Sequence, residues 1–337
     1  MRNIKAAFIT ILFAFAVMFS CFSGCGEEIY DLAKMANEGI PIASVLIYDS
    51  TSYSAVITDG DEYLKVIPLT GYSESGYYDM TVDTRGNFHV CNNTTIYTYK
   101  RDGSYSVSSA FNYVYGIAAG NDSVYALVAN PAQTYFIYRY NSDTGQWTDT
   151  GIDISAFNGN VLVNRCLIRD NATGNVYFAR WDLSVTSTFY RVPNMEVMGT
   201  LPSDGSGSDC YAVYNNEGFS MNATPALYST LRGTLATGIL EFPFSVMDSD
   251  NIFFGEEGST IYRYNTIKGL TSKNVYLPHS TGARIVPLDG SRIIVGEFNS
   301  TTCDILLYNY DTDAIERTIY SYPNLGAYGA LYLRVYR

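Results

Sequence analysis

The chain has 337 residues, with 33 acidic against 21 basic side chains and a formal net charge of −12. No cluster of Lys or Arg stands out, which argues against nucleic acid as a partner, because gripping phosphates takes grouped cations. Charged residues make up only 16% and aromatics 15%, with 31 Tyr. That composition suits pleated, half-buried strands, and the length exceeds one ordinary core unless the fold is built from repeats.

The first segment reads as an export signal: Arg2 and Lys5 precede an apolar run from Ala6 to Phe19. The run leads into Phe22-Ser23-Gly24-Cys25, which resembles the lipobox of bacterial lipoproteins, an apolar residue and two small ones before the cysteine that is acylated. Phe22 stands where that pattern usually has Leu. Met18-Phe19-Ser20-Cys21 is a weaker second match, since Phe19 is bulky where a small residue is wanted. The resemblance implies that residues 1–24 are removed, that Cys25 is lipidated, and that 25–42 form a short tether to a membrane surface, held durably because several acyl chains are buried. An uncleaved spanning helix is the alternative, the apolar stretch approaching the ~20 residues needed. Asp is absent directly after Cys25, as in lipoproteins sent to the outer membrane rather than kept on the inner one. The expected location is therefore the bacterial cell envelope, with the outer membrane favoured. Glu28 to Glu38 could form one short helix.

From Ser44 onward the chain repeats one unit, clearest between Asp79 and Ser109. Strand-like runs Asp79–Asp83, Phe88–Cys91, Ile96–Lys100 and Tyr105–Ser108 alternate with turns rich in Gly, Asn and Asp. Four short antiparallel strands make one blade of a β-propeller. First strands are expected near Asp79, Tyr115, Val161, Cys210, Ser245, Arg284 and Gly329, at the ~40-residue period of such blades. Third strands correspond as well: Phe136–Asn141, Thr260–Asn265 and Ile305–Tyr310. The stretch from 208 to 240 is the most degenerate unit. Ser44 to Leu69 supplies three strands and Gly329–Arg337 a fourth, so joining the chain ends in one blade leaves no open sheet edge in the ring. The fold class expected is all-β, a propeller spanning 43–337 with seven blades, or six as the alternative. A tandem β-sandwich would lack the regular period, and a membrane barrel would need longer strands.

Met80-Thr-Val-Asp83 with Gly86-Asn87-Phe88-His89-Val90 resembles an NHL repeat, and Tyr140-Asn-Ser-Asp-Thr-Gly-Gln-Trp147 is similar to the third-to-fourth strand turn of Kelch and quinoprotein-type repeats. These likenesses imply the fold and not an activity.

Chemistry is sparse. The two histidines, His89 and His279, stand apart from any nucleophile motif; His89 alternates within a strand as a structural residue would, and His279 falls in a loop. No catalytic residue, resident cofactor or metal site is assigned. A structural calcium at Asp59-Gly-Asp61-Glu62 or Asp248-Ser-Asp250-Asn251 is the minor alternative, as is a channel metal of the kind found in lactonase-like propeller hydrolases, because neither stretch supplies the ~6–8 oxygens that calcium takes. Cys91, Cys166, Cys210 and Cys303 read as small core residues, with a Cys166–Cys210 bridge as the alternative.

Tyr is the more informative pattern. Tyr77, Tyr78, Tyr113, Tyr115 and Tyr328 sit where loops enter first strands, which places them at one end of the blades. Two readings stand: a recognition surface for a protein or glycan of the envelope, or rings wedged between blades. The function expected is a membrane-anchored binding or scaffolding module without enzymatic activity. Alternatives are a metal-dependent hydrolase, or an assembly scaffold resembling the propeller lipoprotein of outer-membrane protein insertion.

Overall fold

The computed structural model describes residues 43–48, 52–58, 63–73, 79–108, 111–130, 134–155, 166–170, 172–182, 186–202, 210–222, 226–237, 244–248, 250–255, 260–274, 284–298, 302–323 and 331–335, all within the compact unit Pro41–Arg337. Cys25 with its expected signal, tether and helix, together with Tyr77, Tyr78, Tyr328, His279 and the Asp59–Glu62 stretch, lies outside those residues.

The strands follow one another in short meanders. They are β1 to β3 (Ala43–Tyr48, Tyr53–Thr58, Tyr63–Pro68), β4 to β7 (Asp79–Val82, Phe88–Cys91, Ile96–Tyr99, Tyr105–Ser108) and β8 to β11 (Tyr113–Ala119, Val124–Ala129, Tyr135–Asn141, Gln146–Asp153). Next come β12 to β15 (Leu167–Arg169, Val176–Asp182, Thr186–Val192, Glu196–Pro202) and β16 to β19 (Cys210–Tyr214, Glu217–Asn222, Ala226–Ser229, Gly233–Thr237). The last are β20 to β23 (Phe244–Asp248, Asn251–Gly255, Thr260–Asn265, Gly269–Asn274), β24 to β27 (Arg284–Pro287, Arg292–Phe298, Thr302–Asn309, Ala314–Pro323) and β28 (Leu331–Val335).

They pair into seven four-stranded antiparallel sheets. Six are consecutive meanders, here blades 1 to 6 from β4–β7 to β24–β27; the seventh, the closing blade, has the order β28-β1-β2-β3. In it β28 joins β1 antiparallel with Val45 opposite Leu333, so the last strand of the chain takes the innermost place beside the first. Innermost strands are neighbours in turn, β4 against β8, then β12, β16, β20, β24 and β28. This radial succession is a β-propeller.

Every meander has two ends. First-to-second and third-to-fourth connections share one, the turn end; second-to-third connections and the passages between blades share the other, the entry end. Turns at the first end are closed by side chains: Asp83 accepts from the Arg85 and Asn87 amides, Asn141 from Asp143 and Thr144, and Asn265 from Ile267 and Lys268. Asn215 and Asn216, at φ 50° and 59°, form the two-residue link from β16 to β17, which calls for left-handed backbone at both positions.

The apolar core is a series of blade interfaces. Leu46, Ile57, Met80, Val82, Phe88 and Val90 pack the closing blade on blade 1; Ala118, Leu127, Cys166, Leu167 and Phe178 pack blade 2 on blade 3; Ile261, Ile293, Leu306 and Tyr308 pack blade 5 on blade 6. Buried carboxylates tie the blades as well. Asp79 accepts from the Ile117 amide at 3.0 Å, and the fully buried Asp170 accepts from the Asn215 and Asn216 amides at 2.8 Å each.

Val161, near which the first strand of blade 3 was expected to begin, lies outside the described residues; the strand's described part is Leu167–Arg169. Its place is set from the far side, where Asp170 caps the amides of Ala172 and Thr173 and Gly174 takes φ 70°, fixing the turn that the strand must enter. Cys166 is buried and forms no disulfide, which removes the alternative of a Cys166–Cys210 bridge. The degenerate stretch around 208–240 does form a complete four-stranded sheet, blade 4.

Candidate partner-binding site

The entry end of blade 2 holds the described part of the Tyr pattern. The pairing of β8 with β9 runs Tyr113 to Ala129 and Val114 to Val128, then skips to Gly116 opposite Leu127, so Tyr115 is the extra residue of a β-bulge. A bulge re-aims the side chain that it frees. In a regular strand residues i and i+2 stand side by side; here the Tyr113 and Tyr115 rings tilt together with centroids 4.5 Å apart at 45°. Tyr135, the first residue of β10, joins them 5.7 Å from Tyr115 at 59°.

All three rings are partly exposed. Tyr115 and Tyr135 rest their inner sides on the blade 2 to blade 3 core of Ile137, Cys166 and Leu167. Tyr115 thus has both characters that the sequence left open, one edge wedged between blades and one reaching solvent. Burial raises the Tyr113 and Tyr115 hydroxyls above the ordinary phenol range, and for Tyr115 the neighbouring Tyr135 hydroxyl adds to the rise through Coulombic interaction and a hydrogen bond. The hydroxyls therefore stay uncharged around neutrality, able to donate and to accept. Below them the backbone is fixed: the Val114 amide bonds the Asn93 carbonyl at 2.7 Å and the Asn112 amide bonds the Ala129 carbonyl at 2.8 Å.

A second group of rings at this end fastens the passage from β3 to β4. Tyr53, Tyr72 and Tyr97 meet edge to face at 5.0 and 5.3 Å. The Tyr99 hydroxyl donates to the Thr70 carbonyl at 2.9 Å, and the Asn92 amide group donates to the Ser73 carbonyl at 2.9 Å. Tyr72 is buried, so these rings order the loop rather than face solvent.

His89 belongs to the other end. It is fully buried, with Nδ1 2.9 Å from Thr98 Oγ1 and Nε2 3.2 Å from Asp83 Oδ2, and the rings of Tyr140 and Trp147 lie 4.7 and 6.0 Å away. Burial alone would raise the Asp83 carboxyl, but hydrogen bonds from His89 and Asn87 outweigh it and hold the group below its ordinary value. With its ring enclosed, His89 links a turn to two strands. Asp250 and Asn251 are engaged in turn bonds with Thr266 and Asn265. Among the described residues no group of three or more His, Cys, Asp or Glu is placed to hold a metal ion.

Sequence reasoning found Tyr113 and Tyr115 but missed Tyr135, whose signal was its place directly after the Pro131-containing link between β9 and β10. It also missed the bulge, which follows from pairing and has no mark in the residue pattern.

No family model and no curated protein matches this chain. Among 764 chains of solved structures that do match, one from the crystal structure of a mitotic checkpoint complex is 14% identical over 72% of this chain and 77% of that chain, with a TM-score of 0.49. The propeller assignment rests on the sheet topology above.

Proposed function

We propose that this protein is a cell-envelope lipoprotein, anchored through Cys25 to a membrane and more specifically the outer one, whose propeller is a non-enzymatic binding or scaffolding module for an envelope protein or glycan. The observation that carries the reading is the Tyr113, Tyr115 and Tyr135 group: three partly exposed rings gathered at the entry end by a β-bulge, two from the innermost strand β8 and one from β10. Aromatic rings held by their scaffold bury large area at little entropic cost and keep a polar handle, as binding hot spots do.

Two measurements test it. Fractionation of cells carrying the full chain should place it with membranes, and Cys25→Ser should release it. The immobilised full chain should retain an envelope protein or a soluble envelope glycan whose affinity falls about tenfold or more in the Tyr113→Ala, Tyr115→Ala double variant, the effect of losing one or two hot-spot rings. Equal affinity in the variant, with its fold intact by circular dichroism, would falsify the assignment of this end as the binding site.

A further inference from the structure

The strands that carry the Tyr113, Tyr115 and Tyr135 rings leave little for a polypeptide to grip. One mode of peptide recognition adds a strand to a free sheet edge. Tyr135 belongs to β10, which is paired on both sides by β9 and β11. Tyr113 and Tyr115 belong to β8, whose open edge already spends its amides on blade 1: Val114 on the Asn93 carbonyl at 2.7 Å, Ile117 on Asp79 and Ala119 on Thr81 at 3.0 Å each. A second mode sinks an anchoring side chain into a pocket. The core under the rings is closed, with Val114, Ile137, Cys166 and Leu167 each at 0% exposure. What is left to an occupant is the ring surfaces and the polar atoms at their margins.

Those polar atoms carry no charge. Burial raises the Tyr113 and Tyr115 hydroxyls, with the Cys91 thiol acting further on Tyr113 and the phenols of Tyr135 and Tyr113 and the Cys166 thiol on Tyr115, so both stay protonated at neutral pH. The Tyr115 and Tyr135 hydroxyls share one hydrogen bond, which leaves an O–H and several lone pairs for a ligand. Next to Tyr113 in the chain stands the exposed Asn112, whose amide offers a donor and an acceptor side by side. The rings follow one another at 4.5 and 5.7 Å and tilt by 45° and 59°, a stepped aromatic surface on the scale of a sugar ring. The net charge of −12 over the whole chain repels anionic polymers.

We infer that the Tyr113, Tyr115 and Tyr135 group is a site for an uncharged glycan, whose sugar rings lay their C–H faces on the phenol rings while their hydroxyls exchange hydrogen bonds with the phenol hydroxyls and the Asn112 amide. The inference rests on the binding reading above and chooses between its two partner classes. A neutral sugar fits because each of its hydroxyls both donates and accepts, as each phenol does, and because a pyranose is apolar on its faces and polar at its rim.

The full chain in zwitterionic detergent is titrated calorimetrically with neutral oligosaccharides of glucose, mannose, xylose and N-acetylglucosamine, and with oligogalacturonate as their anionic counterpart. At least one neutral oligosaccharide should bind, with an affinity that changes less than about twofold between low and high salt, since screening acts only on charge. Tyr115→Ala should weaken it about tenfold and Asn112→Ala about threefold, the costs of one aromatic anchor and of one neutral hydrogen bond. Tyr105→Ala, at an exposed ring of blade 1 outside the group, should leave it unchanged. Circular dichroism checks each fold, and if Tyr115→Ala unfolds, Asn112→Ala on the surface still decides. Failure of every neutral oligosaccharide to bind, equal or tighter binding of oligogalacturonate, or binding that neither variant weakens overturns the inference. Retention of an envelope protein that is lost in the Tyr113→Ala, Tyr115→Ala double variant, with no neutral oligosaccharide bound, overturns the glycan and leaves the binding reading standing. If no partner of either class depends on the rings, both fall.

Discussion

The two ends of the blades solve different problems with the same strands. At the turn end, connections of two to six residues are closed by their own carboxylates and amides, and Asp83, Asp170 and Asn215–Asn216 spend nearly all their polar capacity inside the fold. At the entry end the second-to-third connections are as short, most passages between blades are longer, and beside the buried Tyr72 and Tyr99 that fasten one passage stand the partly exposed rings of Tyr113, Tyr115 and Tyr135. The difference shows where this chain can vary without losing its architecture. Carboxylates bridge blades at both ends, Asp170 at the turn end and Asp79 at the entry end, so what sets the entry end apart is its partly exposed rings.

That contrast can be broken most completely by removing what both ends share. Deleting residues 331–337 takes away β28, leaves β1 with an unpaired edge and opens the ring; cooperative thermal unfolding should be lost and the soluble fraction should fall sharply. Next in size is Asp170→Ala, which strips a fully buried carboxylate from the Asn215 and Asn216 amides and from Thr173; it should cost about 3 kcal/mol or more in denaturant titration.

A pH test sharpens the turn-end half. The Asp83 carboxyl is held below its ordinary value of about 3.9, so the unfolded chain binds the proton more readily than the folded one. Its contribution is present above that pH and lost as the pH falls through it toward the folded value. Wild-type stability should therefore drop more steeply below about pH 4 than that of Asp83→Asn, whose midpoint is lower but flatter over the same range. A parallel slope in the two proteins would remove Asp83 from the account. The smallest effect on stability belongs to the entry end: Tyr115→Phe removes one partly exposed hydroxyl and should shift the unfolding free energy by no more than about 1 kcal/mol while weakening partner binding measurably.

Much of the fold was legible because a propeller writes its repeat locally. Each strand of blade 1 can be read from alternation between turn residues, and the observed Phe88–Cys91 and Tyr105–Ser108 agree residue for residue with the pattern. Closure was legible too, since three strands at one end of the chain and one at the other leave a physical deficit that only their pairing removes. β12 was less so, because a three-residue strand carries too little alternation to be read by itself. Two of the three rings of the candidate site were visible in the same way: Tyr113 and Tyr115 stand out in sequence, but the partner ring Tyr135 comes from another strand.

The sequence by itself determined the all-β class, the four-strand period, the joining of the chain ends and the end of the blades where Tyr113 and Tyr115 stand, since all of these depend on residue types at short spacing. Tertiary structure alone decided that Tyr115 is the bulged residue and that Asp79 and Asp170 bind amides of the next blade. The physical reason is range: alternation and turn chemistry act over a few neighbours, whereas a bulge and an inter-blade hydrogen bond exist only once separate strands have been brought into register.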